Sequence, residues 1–410
     1  MIIKSKLFGA TLIVAGTSIG GSMLALPLVS SSLGIFSGTL LLVLTWWLGY
    51  YTSTIALKIN HFYCGAFSIS ELCKKTFKSK IWIVGDLSIV VLFYSLLAAY
   101  ISGIVEISLV KDLLPVNIAR CIGALMVLVL ILFVVCNFKL LDLSNRIIFL
   151  IKAGVFSVLF ILLIPQMKGI NIANFGTGLL ENRNLCKAVP VFFTSFGFHG
   201  SIPFILKYLD YEVKQAEKAF LWGSLLSLII YFLWIFSAIS VLPQYGDVSF
   251  ESLRNGGNNL GAFITTLTSL TGMKSLSLVM TMFSWLAIVT SFLGVGIGLY
   301  DYFLEKLKLN GKLWFNKVKV GFVTFIPPIA VTIINKNVFV TALAFAAISL
   351  SILAVVFPSL ISLRINNKDK IDNKENNKNT KILSPRILAI LTLLIGVLII
   401  IFEILNIFSF

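Results

Sequence analysis

An apolar run from about Leu7 to Leu33 is long enough to cross a bilayer. It is interrupted at its middle by Gly16-Thr17-Ser18-Ile19-Gly20-Gly21-Ser22-Met23-Leu24-Ala25-Leu26-Pro27. Lipid offers no partners to free N–H and C=O groups, so a span is continuous helix unless its break is buried in protein or lines a cavity. Three glycines and a Thr-Ser pair at mid-span argue against continuity. Discontinuous helices of this kind form the substrate and ion sites of secondary transporters near the membrane midplane. The pattern therefore implies transport and also indicates where in the chain the site lies.

The rest of the sequence fits a membrane setting. A chain of 410 residues that is 58% hydrophobic and 12% charged is not a soluble globule. Its apolar residues fall into about eleven blocks: 7–33, 35–57, 82–108, 118–137, 147–165, 188–206, 218–241, 275–303, 318–334, 337–363 and 386–408. They form one membrane domain. The first block is too long and glycine-rich for a signal peptide and has no small-residue cleavage site, so it is expected in the mature protein. The net charge of +16 does not indicate nucleic acid, because its placement follows the membrane. With the N-terminus inside, 25 of the 33 Lys and Arg residues lie on the inner side, leaving Lys111, Arg120, Lys168, Arg183, Lys187, Arg254, Lys274 and Lys336 outside. This bias predicts a cytoplasmic N-terminus and a periplasmic C-terminus. Cys64, Cys73, Cys121, Cys136 and Cys186 show no zinc-type spacing, and neither metal nor cofactor is expected. The Asn/Lys-rich stretch Asn366 to Ser384 is expected to be a disordered cytoplasmic linker.

A second break occurs in the sixth block, Val191-Phe192-Phe193-Thr194-Ser195-Phe196-Gly197-Phe198-His199-Gly200-Ser201-Ile202-Pro203. Spans one and six cross in opposite directions, so matched breaks imply an inverted five-plus-five repeat. Repeat one is expected over about 7–165 and repeat two over about 188–363, with an extra helix at 386–408. The N-terminus of a half-helix offers N–H groups and partial positive charge, and its opposite end offers carbonyls. A zwitterionic amino acid needs both. Thr17, Ser18, Gly20, Gly21 and Ser22 are assigned to the carboxylate end, with Phe196, Gly197, Phe198 and His199 facing them. The alternative is that these glycines only allow close helix packing; two clusters at matching positions, each followed by proline, favour a site.

The segments Leu12 to Pro27, Ser195 to Pro203 and Thr290-Ser291-Phe292-Leu293-Gly294-Val295-Gly296-Ile297-Gly298-Leu299 resemble the bacterial hydroxy/aromatic amino acid permease family, whose nearest members are tyrosine- and tryptophan-specific. The likeness covers essentially the whole chain. It implies the leucine-transporter-type fold of the amino acid–polyamine–cation superfamily, all-α, with broken helices one and six. It also implies proton-driven uptake across the inner membrane, by a protein expected to act as a monomer. One departure is Gly21-Ser22, where Ala-Gly is typical.

Lys152 lies about two turns into span five. Snorkelling to the headgroups is one account. The other is that its ammonium stands where sodium-coupled relatives of this fold hold an ion, between a span-eight hydroxyl pair, here Thr290 and Ser291, and carbonyls of the first break. By resemblance to proton-coupled members, Lys152 is expected to be the coupling group. His199 is either a proton relay or a neutral ring that caps freed backbone groups or stacks on the substrate ring. His61 is assigned nothing. Tyr94 and Trp285 are candidate lining, as are Phe192, Phe196 and Phe198, while Asp86 and Glu106 are expected near the interfaces. Sodium coupling through Thr290 and Ser291, or a different neutral amino acid, remains open. A membrane enzyme lacks a convergent acid–base or metal set, and a channel lacks charged rings.

Overall fold

The structure is a computed structural model. It describes residues 2–77, 79–109, 116–135, 141–174, 182–256, 260–309, 313–335, 338–372 and 385–408. Cys136 and the loop cations Lys78, Lys111, Lys139, Lys312, Lys336, Lys374, Lys378 and Lys381 lie outside these residues.

Every described element is helical. The chain runs through α1 (Ile2–Ser18), α2 (Leu26–Ser30), α3 (Ile35–Phe62), α4 (Ile69–Thr76), α5 (Trp82–Ser108), α6 (Val116–Val135), α7 (Leu141–Leu163), α8 (Gly169–Asn174) and α9 (Asn182–Ser195). It continues through α10 (Ile202–Tyr208), α11 (Val213–Val241), α12 (Phe250–Asn255), α13 (Leu260–Thr271), α14 (Lys274–Lys306), α15 (Trp314–Ile334), α16 (Phe339–Ser351), α17 (Phe357–Asp372) and α18 (Arg386–Phe408). Among the described residues, nine helices are long and apolar enough to cross a membrane, and a tenth span is the bent pair Lys6–Ser18 and Gly21–Ser30. The apolar part of α6, Cys121–Val135, is shorter and occupies the fourth expected block. The blocks read from sequence thus all fall on helices.

Which way each helix faces follows from what it packs against. α5 lies at the centre, against α16, α14, α15, α6 and α13, while α11 packs on both α1 and α3. α6 turns Leu125, Leu128 and Leu132 outward, and α18 exposes Ile387, Leu391 and Leu394. Such a surface suits lipid, where burial of apolar side chains gives no hydrophobic gain and close packing needs small residues instead. Gly223 on α11 is one of these: a Cβ there would lie 2.5 Å from Val14 Cβ and 2.7 Å from the Thr11 carbonyl oxygen. α18 is held to the bundle by Ser351, whose hydroxyl donates to the Gly396 carbonyl at 2.8 Å, and by the Ser359–Thr392 hydroxyl pair at 2.8 Å. They flank the single π-helical turn at Ile352–Val356.

Two expectations change. α17 carries the helix on through Asp372, so the first part of the Asn366 to Ser384 stretch is not linker; 373–384 lies outside the described residues. Once nucleated in the membrane, a helix propagates at one hydrogen bond per residue fixed, and this polar stretch contains no proline or glycine to stop it. The two breaks also differ in shape. The first kinks its span by 47°, whereas Asn184–Tyr208 passes as one 25-residue span without a comparable kink.

Overpacking a well-filled helix contact costs about 1–3 kcal/mol. Gly223→Val should therefore lower the thermal unfolding midpoint of the detergent-solubilised protein by several degrees, read by intrinsic fluorescence. An unchanged midpoint would mean that α1 and α11 separate without loss.

Candidate functional site

The first break is a loss of main-chain bonding at a defined residue. The last α-helical bond is Ile19 N–H to the Ala15 carbonyl at 2.8 Å, after which Gly20 N–H reaches back only two residues, to the Ser18 carbonyl, at 2.8 Å. A 3₁₀ turn, Gly21–Ala25, then leads into α2, with Pro27 in its first turn where no N–H is needed. The second break repeats the device. Phe198 N–H donates to the Phe196 carbonyl at 2.9 Å across Gly197, whose φ −77° and ψ 44° approach an inverse γ-turn, and the 3₁₀ turn Phe198–Ser201 precedes α10 with Pro203.

Gly20 itself has φ −130° and ψ −157°, extended backbone that any residue adopts, so conformational freedom is not why glycine stands there. The reason is space. A Cβ on Gly20 would strike the Ser291 hydroxyl, and one on Gly21 would lie 2.7 and 2.9 Å from the Tyr100 ring. Gly21 N–H donates to Ser291 Oγ at 3.0 Å, which ties the break to α14.

Lys152 is 3% exposed, and its ammonium does not snorkel to a headgroup. It donates to the Ile19 carbonyl at 2.8 Å and to Thr290 Oγ1 at 3.2 Å. A buried ammonium is costly unless oxygens surround it, and here the break supplies a carbonyl that has left the helix ladder. Thr290 and Ser291 also donate to carbonyls of their own helix, at 2.8 Å to Leu286 and 2.8 Å to Ala287.

A cavity of 560 Å³ adjoins both breaks. Of the residues singled out from sequence, Thr17, Ser22, Gly197, Phe198, His199, Lys152, Thr290 and Ser291 line it. Ser18, Gly20, Gly21 and Phe196 lie behind this lining and support the breaks. Tyr94 is elsewhere, its hydroxyl donating to the Val323 carbonyl at 2.7 Å and its ring beside Phe303. Trp285 packs against the main core away from the cavity, and Phe192 is fully buried in that core. The cavity extends to Asn60, Ser68 and Leu72 at the α3–α4 end of the bundle. Beyond α2, Arg254 donates to Ser31 Oγ at 3.2 Å.

His199 Nε2 is 2.9 Å from Thr52 Oγ1, and the ring stacks on Phe198. Thr52 donates to the Leu48 carbonyl at 2.8 Å, so the His199 Nε2–H tautomer fits, which leaves Nδ1 as a buried acceptor without a partner. Asp86 accepts from Ser70 Oγ at 2.6 Å and pairs with Lys306, at the end of the bundle as expected. Glu106, in the last turn of α5, is 4% exposed and accepts from Ser102 Oγ at 2.6 Å and from Leu260 N–H at 2.8 Å. Cys73, on the short helix α4 outside the spans, has its thiol pushed up to about 12 by burial. It stays protonated and unreactive.

Sequence reasoning missed Tyr100 and Tyr231. Both are buried, and they flank the first break from α5 and α11. A signal was present for the second: Ser224, Ser227 and Tyr231, spaced three and four apart, set three hydroxyl groups along one face of α11.

Gly20→Val should reduce transport more than tenfold while the protein still inserts, because the added side chain displaces Ser291 and with it the Gly21 N–H bond. Uptake into vesicles normalised to protein in the membrane measures this. Uptake equal to wild type would show that the contact yields without consequence.

Comparison with known proteins places this architecture. The Eremococcus coleocola manganese transporter, in the crystal structure of a mutant form, aligns over 97% of this chain and 94% of its own, with a TM-score of 0.57 at 12% identity. That likeness concerns the fold, which is the leucine-transporter type with two broken helices. The tyrosine-specific transport system 1 of Haemophilus influenzae is 33% identical over 398 residues, 96% of each chain. A tryptophan-specific transport protein of Pseudomonas aeruginosa is 29% identical over 374 residues, covering 88% of this chain and 86% of its own. The sequence model of the tryptophan/tyrosine permease family matches residues 3–403. Matched over nearly its full length, the chain belongs to the tryptophan/tyrosine permease family.

Proposed function

We propose that this permease is a proton-coupled symporter that imports an aromatic amino acid, tyrosine in preference to tryptophan, across the bacterial inner membrane. The observation that carries the coupling is the Lys152 ammonium, buried against the Ile19 carbonyl and Thr290 Oγ1. A cation held at that point joins α7 to the first break and to α14. Loss of its proton removes the charge that draws these oxygens together and loosens α7 from both. Choice of tyrosine rests on the Haemophilus influenzae relative, which is more similar over more of the chain than the tryptophan-specific protein.

In this reading the carboxylate of the substrate lies at Thr17 and Ser22, with Ser18, Gly20 and Gly21 of the same break behind them, and the ring lies toward Gly197, Phe198 and His199, backed by Phe196. Gly21 N–H already has a partner in Ser291, so a carboxylate there competes with that hydroxyl. The N-terminus is cytoplasmic and the C-terminus periplasmic, by the charge bias of the loops. The cavity, reaching Asn60 and Ser68, then opens to the cytoplasm. Repeat one spans about 7–165, repeat two about 188–363, and the helix at 386–408 lies outside both. The protein works as a monomer.

Proteoliposomes without sodium test the proposal. An inward proton gradient should drive accumulation of labelled tyrosine, with unlabelled tyrosine competing better than tryptophan or phenylalanine. Lys152→Ala should abolish accumulation while leaving exchange. Strict sodium dependence, with Lys152→Ala fully active, would overturn the coupling and make Thr290 and Ser291 a metal site.

A further inference from the structure

Tyr231 on α11 belongs to none of the roles above, yet it touches both breaks. Its side chain is fully buried, and its ring meets Phe196 edge-on at a centroid distance of 5.2 Å. Its hydroxyl lies 2.5 Å from the Ser18 carbonyl oxygen and 2.8 Å from the Ser195 carbonyl oxygen. Those residues are the last of α1 and of α9. The end of a helix leaves carbonyls without intrahelical partners and carries partial negative charge. Two such ends facing each other repel, and no lipid can satisfy them. One phenol proton serves both carbonyls. The Ser18 carbonyl also accepts Gly20 N–H, so the tie extends into the γ-turn that forms the first break.

We propose that Tyr231 is a positioning residue for transport: its hydroxyl holds the ends of the two broken helices in register, so that an incoming substrate meets both halves of its site already ordered. Tyr100 faces the same break from the other side, through Gly21 and Ser291, but it reaches only one of the two broken helices. Tyr231 reaches the ends of both. Without the tie, the substrate must bring the two segments together as it binds, and the ordering cost falls on affinity rather than on turnover.

The test removes or replaces one atom. Tyr231→Phe keeps the ring and its contact with Phe196 and deletes the donor. 4-Aminophenylalanine at position 231 restores a donor with two N–H groups, one for each carbonyl, and 4-methylphenylalanine matches its size with none. In proteoliposomes the KM for labelled tyrosine should rise at least tenfold in Tyr231→Phe and in the 4-methyl variant, with Vmax changing less than threefold. The 4-amino variant should return KM to within threefold of wild type. If Tyr231→Phe does not insert, the 4-amino and 4-methyl pair carries the comparison. A KM within twofold of wild type in either donor-free variant, or no restoration by the amino group, overturns the inference. The inference rests on the proposed function only for its probe. A wild-type protein that takes up no tyrosine counts against that reading, and the variants are then compared by maleimide labelling of Ser201→Cys, in a background whose native cysteines are serine. Ser201 lines the cavity at the head of α10. Labelling at least threefold faster in Tyr231→Phe supports the tie, and an unchanged rate overturns it.

Discussion

Carbonyl groups released from a helix inside a membrane need donors, and the site is organised by how each is supplied. A helix broken in water can leave its last turn to solvent. A helix broken in lipid cannot, and each orphaned group costs about 1–3 kcal/mol. The Ile19 carbonyl takes the Lys152 ammonium, the Ser18 carbonyl takes Gly20 N–H and the Tyr231 hydroxyl, and the Ser195 carbonyl takes the same hydroxyl. Apart from Gly20 N–H the donors come from α7 and α11, so the breaks depend on the packing of those two helices. Gly223, which lets α11 approach α1 closely, therefore supports the site although it does not itself line the cavity.

Three kinds of partner meet at the first break: an ammonium, a phenol and a serine hydroxyl. They differ in what each can give up. The Ser291 hydroxyl can release the Gly21 N–H to a substrate carboxylate and keep its own donation to the Ala287 carbonyl. The ammonium can lose a proton. The phenol can do neither without leaving the Ser195 carbonyl bare and the Ser18 carbonyl with Gly20 N–H alone. The first break thus combines partners that can change with one that cannot.

The breaks were legible because glycine, serine and threonine stand out in an apolar run and proline follows each shortly after. Lys152 was legible for the same reason, being a charge where charge is costly. What the sequence did not reveal is rotation. A helix that is apolar nearly all round carries no periodic signal of which face meets the core, so Tyr94 and Trp285 could be placed in depth but not in azimuth; one faces α15 and the other the main core. Tyr231 was hidden differently. In a chain with 11 tyrosines and 34 phenylalanines, one buried ring among many marks nothing unless the hydroxyl face of its helix is read as a whole. Glycine at position 20 was visible, but its reason was not: the constraint is the neighbouring Ser291, which lies 271 residues away in the sequence.

The 47° kink belongs to one break and not to the other. Two inverted halves in the same conformation would make a molecule with a two-fold axis in the membrane plane, and any passage through it would open equally to both faces or to neither. Direction therefore resides in the difference between the halves. The bend in the first span, which the second break does not match, is one such difference.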